Sequence, residues 1–77
     1  MTPRQLDELH SIPMWQAACV TQNLRSAGRE HAAVLIDAYE ERLAIITEGR
    51  SAAPDDISKA WESVLGRKIF ERQAKRG

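Results

Sequence analysis

Four stretches of the chain space their apolar residues three and four positions apart, which places them on one face of an α-helix. The first opens at Thr2-Pro3-Arg4-Gln5, a helix start with Thr2 as N-cap, Pro3 in the first turn and the Gln5 side chain reaching back to the cap. This helix, over about residues 2–10, is short, with Leu6 and Leu9 as its apolar contacts. Ser11-Ile12-Pro13 stops it: Pro13 pushes Ile12 out of helical geometry and suits the first turn of the next helix. The second helix, about 13–27, buries Ala17, Val20, Leu24 and Ala27. Gly28 either ends it or, since no strong cap follows, kinks it into the third.

The third helix, about 29–48, closes at Gly49 and is apolar over an unusually wide arc. At about 100° per residue, Glu30, Asp37, Glu41 and Glu48 share one face, with Glu40 nearby. Opposite lies a core stripe of Ala32, Leu35, Ile36, Tyr39, Leu43 and Ile46. A smaller strip of Val34, Ala38 and Ile45 sits between, with His31 and Arg42 separating the two. The combined apolar arc of about 200° exceeds the roughly 100° stripe of an ordinary surface helix, so this helix is expected at the centre, flanked on two sides.

Residues 50–54 form the one clear loop, and Pro54-Asp55-Asp56 opens a fourth helix, because carboxylates in a first turn favour the positive end of the helix dipole. Ile57, Trp61, Val64 and Leu65 make its buried side. Gly66 interrupts, yet the spacing of Trp61, Leu65 and Ile69 favours a helix that continues to about residue 74 with a basic end. The fold predicted is all-α, a small bundle of three to four helices around a doubly packed third helix, in a single domain spanning residues 1–77.

Length sharpens this picture. With 77 residues the chain barely supports one apolar core, and at 5% aromatics that core comes mainly from aliphatic side chains. Eleven basic residues cancel eleven acidic ones, which removes any whole-molecule argument for nucleic acid or anionic membrane. The single cysteine, Cys19, excludes an internal disulfide and fits a reducing compartment. Arg4, Asp7, Glu8 and His10 break up any signal peptide, and no apolar run suits a membrane span. A cytoplasmic protein without membrane contact is expected.

Catalytic chemistry finds little support. Cys19, His10 and His31 are the only soft metal ligands, and no pair has zinc-site spacing. A Cys19–His31 pair lacks a third group and an oxyanion donor, and Asp55-Asp56 is explained by its place at a helix start. No phosphate-binding glycine loop, nucleophile elbow or EF-hand loop is present. Neither an enzyme nor a cofactor is expected. Trp15 and Trp61 read as core anchors. Arg42, between two apolar strips, must reach water or a carboxylate. An ion pair with an acid of another helix is the plainer role, and an interface anchor the functional one.

Charge is distributed unevenly. Residues 66–77 carry Arg67, Lys68, Arg72, Lys75 and Arg76 against the single acid Glu71, a net +4, whereas residues 1–65 hold six basic and ten acidic side chains, a net −4. Such a segment suits nucleic-acid phosphates or an acidic partner, but no DNA-binding motif accompanies it. Its plainer role is a solvated end that complements the helix dipole or the acidic face of the third helix. The leading expectation is a small protein-binding module, an adaptor, regulator or inhibitor acting as a homodimer through Val34, Ala38, Arg42 and Ile45. Second is a nucleic-acid-binding accessory protein using the basic C-terminal residues, and third a structural assembly subunit.

Overall fold

The structure, a computed structural model, describes residues 1–66 of the chain. Its elements are α1 (Pro3–His10), α2 (Met14–Ala27), α3 (Arg29–Thr47) and α4 (Pro54–Leu65). Helix makes up 80% of the described residues and none of them is in a strand, so the fold is all-α.

Local chemistry explains each boundary. At the start of α1, the Gln5 backbone N–H donates to Thr2 Oγ1 (3.2 Å) and the Thr2 N–H donates to Gln5 Oε1 (2.9 Å), the reciprocal box that Thr2 and Gln5 predict. Proline stops α1 as expected, and Ile12, excluded from both helices, turns inward and is buried. Between α2 and α3 the break is a single residue. Gly28 has φ +88° and ψ 162°, donates to the Arg25 carbonyl and accepts from the Ala32 N–H, so it caps both helices. An L-residue would be strained there, which decides for a break over a kink. At the start of α4 the Asp56 carboxylate accepts from the Ala53 N–H (3.0 Å). The other end differs from expectation: α4 stops at Leu65, because Gly66 takes φ +101°. The rest of the expected continuation, to about residue 74, lies outside the described residues.

Helix α3 is central, packed along α4 on one side and α2 on the other. The core comprises Leu9, Ile12, Val20, Tyr39, Leu43, Ile57, Ala60 and Trp61. Tyr39 and Trp61 stack with ring centroids 4.2 Å apart and planes 7° from parallel. Of the expected large strip, Tyr39 and Leu43 are buried, Ile36 and Ile46 pack half-buried against them, and Leu35 turns to the edge. Two apolar residues depart from their expected places. Trp61 is 1% exposed, but Trp15, in the first turn of α2, is 37% exposed and no core anchor. Leu6 is 42% exposed, although it lies one turn from the buried Leu9.

The smallest helix is fastened to the largest by polar side chains. The Tyr39 hydroxyl donates to Glu8 Oε1 (2.7 Å), and Gln5 Nε2 donates to Glu40 Oε1 (2.7 Å). Arg4 bridges Glu8 and Glu40, and the hydrogen bond to Glu40 with the nearby Glu8 charge raises its guanidinium pKa further. Burial first, then the hydrogen bond to Glu8, pushes the Tyr39 pKa well above its ordinary value of about 10.

Tyr39 is the single tyrosine, so phenolate absorbance reports on it alone. The folded state holds this proton more tightly than the unfolded chain. The associated stability is therefore complete below about pH 10 and is lost as pH rises above that value. Phenolate absorbance is expected to appear together with loss of helical circular dichroism. A titration near pH 10 with the helices intact would show a phenol open to water.

Candidate protein-binding groove

The residues of α3 that the core does not use converge on one surface. Val34, Ala38 and Ile45 follow one another at intervals of four and seven residues, so they share a face of the helix. That face is open to solvent: Val34 is 60% and Ile45 57% exposed, and Ala38 between them is exposed as well. With Leu35, Glu41 and Arg42 of α3 and Ser63 and Val64 of α4, they line a groove of about 350 Å³. Its concavity follows from residue size. Ala38 is a low point between Val34 and Ile45, and Ser63 is small on the facing wall. The structure thus brings together all four expected site residues of α3, Val34, Ala38, Arg42 and Ile45.

Arg42 stands on the wall shared with α4, exposed and without an ion pair among the described residues. Among the described residues, no acid of another helix pairs with it. Arginine partners do exist for other acids: Arg4 holds Glu8 and Glu40, and Arg50 lies 3.8 Å from Asp56. The opposite edge of the groove is acidic. Glu41 borders it, and Glu30, Asp37 and Glu48 continue the same row along α3, all exposed and unpaired among the described residues. Glu40 leaves this row, turned toward α1 by Arg4 and Gln5.

A second apolar hollow of about 400 Å³, between α1, α2 and α3, was not anticipated from the sequence; Leu6, Leu9, Leu24 and Ile36 contribute to it. Leu6 lies one turn from the buried Leu9, and that spacing alone cannot tell a core contact from the rim of an open hollow. The basic site residues Arg67, Lys68, Arg72, Lys75 and Arg76 lie outside the described residues. Among the described residues, no group of three or more His, Cys, Asp or Glu side chains is placed to hold a metal ion. Cys19 is half-buried against the core, and no hydrogen bond joins it to the exposed His31. No described helix is long and apolar enough to cross a membrane.

Compared with protein-family models, curated protein sequences and solved structures, the chain matches none.

The half-buried position of Cys19 has a measurable consequence. Cys19 packs partly buried against the core, with access limited by the fold. Modification by a thiol reagent is expected to be slow in the native protein and fast in denaturant. Equal rates in the two states would place Cys19 in open solvent.

Proposed function

We propose that the protein acts without catalysis, as an adaptor, regulator or inhibitor that binds another protein through the α3–α4 groove. The observation that carries this reading is the exposed Val34–Ala38–Ile45 strip on a helix whose other apolar side is already spent in the core. Soluble proteins rarely leave a contiguous apolar surface uncovered unless something binds it. Arg42 on the groove wall, with no carboxylate holding it among the described residues, suits an interface anchor. A cytoplasmic setting agrees with the single free thiol.

Self-association through the same strip is the competing use of this surface. An antiparallel two-fold pairing of α3 sets like flank against like flank, so the acidic row would face its own copy. In that arrangement the repulsion favours a different protein over a second copy. Nucleic-acid binding rests on the cations of residues 67–77, while residues 1–65 carry a net −4. Duplex DNA is therefore expected to bind no more tightly than the non-specific range of about 10⁻⁴–10⁻⁶ M at physiological salt. A submicromolar Kd under those conditions would reverse the ranking.

Two substitutions on α3 separate groove from core. Leu43→Glu buries a charge beside Tyr39 and Trp61 and is expected to unfold the protein, at a cost on the order of several kcal/mol. Ile45→Glu, two residues on, is expected to leave the helical circular dichroism intact. It should abolish capture of the native partner in a pull-down that nuclease does not affect. If Ile45→Glu collapses the fold, the strip belongs to the core. Unchanged capture would remove the groove from the binding site.

A further inference from the structure

We propose that the occupant of the α3–α4 groove is a basic amphipathic helix of the partner, with lysines or arginines on the flank that meets the acidic row. This rests on the protein-binding reading and names the chemistry of the partner. From Val34 to Ile45 the strip spans eleven residue steps, about 16 Å at the helical rise, which is the length of three turns of a second helix. The low point at Ala38 lets a neighbouring helix axis approach to about 8–10 Å. A helix also satisfies its own backbone. Both walls of the groove are themselves helices whose mid-helix N–H and C=O groups bond internally, so they offer no ladder to an extended peptide.

Charge selects the sequence of that helix. Glu30, Asp37, Glu41 and Glu48 form an exposed row along one side of the strip, at intervals of seven, four and seven residues, with no cation paired to them among the described residues. Asp37 and Glu41 are four apart on the same helix, where like charges oppose helix formation by a few tenths of a kcal/mol. A cation from outside, placed between them, converts that repulsion into two attractions. Arg42, on the wall nearer α4, asks for a single carboxylate or carbonyl on the occupant's other flank. The pattern sought is apolar residues at helical spacing, a row of cations on one side and an acceptor on the other. A second copy of α3 fits it poorly, because antiparallel pairing repeats the acidic row on the flank where cations are needed.

The test uses the full chain and a fluorescently labelled leucine–lysine helix of about 18 residues, long enough to hold helical structure when bound. Two controls accompany it, one with the same residues scrambled and one with every lysine replaced by glutamate. Anisotropy titrations are expected to show binding of the basic helix that weakens with added salt. The scrambled and acidic peptides should bind at least about tenfold more weakly, a difference of about 1.4 kcal/mol or more. A similar loss is expected from Ile45→Ser, which removes apolar contact, and from Asp37→Asn with Glu41→Gln, which removes charge. Equal binding of the scrambled peptide would reduce the effect to bulk electrostatics and overturn the proposal, as would a preference for the acidic helix. So would a dimer in sedimentation that Ile45→Ser dissociates, since a second copy would then be the occupant. Replacing Arg67, Lys68 and Arg72 by glutamine must leave the affinity unchanged; tighter binding would mean that this chain's own cations answer the acidic row, and would overturn the proposal. If the basic helix fails to bind while Ile45→Glu still abolishes partner capture, the groove is a protein site of other chemistry and only this inference falls.

Discussion

The Tyr39–Trp61 stack is the contact on which the rest of the molecule depends. The chain has only four aromatic residues, and two of them meet here, 4.2 Å between centroids. An aromatic ring buries more area than the aliphatic side chains that make up the remaining core, Leu9, Ile12, Val20, Leu43, Ile57 and Ala60, and a stacked pair adds about 0.5–1.5 kcal/mol beyond that burial. The stack joins α3 to α4. Its phenol then reaches past the rings to Glu8, which draws α1 into the same assembly, and Arg4 and Gln5 extend the connection to Glu40. One ring pair therefore ties three of the four helices together. The buried hydroxyl is tolerated because its proton has a carboxylate to meet.

This contact also sets the rotation of α3 about its own axis. With Tyr39 turned toward Trp61, Ala38 must point about 100° away, and Val34 and Ile45 go with it. Helix α2 covers the side of Val20 and Leu24, and α4 the side of Ile57 and Trp61, so four helices leave the third face uncovered. The groove is thus a geometric remainder of making the core from Tyr39, Leu43 and Trp61. Whether a remainder becomes a site depends on what surrounds it, and here one edge is a row of carboxylates and the other carries Arg42.

Much of this was legible in the sequence where the chemistry is local. Thr2, Pro3 and Gln5 spell a capping box within four residues, and Pro54-Asp55-Asp56 a helix start within three. The two apolar strips of α3 were legible because a 19-residue helix gives its periodicity room to show. What was not legible depended on neighbours distant in sequence. Trp15 and Trp61 both lie on or beside apolar stripes, and periodicity cannot say that α3 stacks on one and leaves the other at the start of α2. Ala60 and Thr47 are buried because adjacent helices approach closely there; one is too small, and the other too polar, for a hydropathy reading to select. Thr47 meets the requirement by donating its hydroxyl to the Leu43 carbonyl (2.9 Å). Gly28 and Gly66 were ambiguous for another reason. Only the positive φ each adopts separates a glycine that ends a helix from one that sits inside it.

The acidic row is the feature that folding alone does not explain. Three local preferences are set aside along it. Asp37 and Glu41 place like charges one turn apart, against helix stability. Glu48 puts a carboxylate at the C-terminal end of α3, where the helix dipole favours a cation. The same residue adopts left-handed geometry at φ +52°, a conformation that costs an L-residue about 1–2 kcal/mol and suits glycine. Elsewhere the chain follows such rules: α4 begins with two aspartates, and Glu8, Glu40 and Asp56 each lie beside an arginine. Departures from local preference gathered on one face, beside an apolar strip, support the binding surface proposed for the groove, because the sequence is otherwise consistent with its fold. A basic helix laid along that face would supply the cations that the row lacks among the described residues, and in doing so it would turn each of the unfavourable carboxylates into a contact.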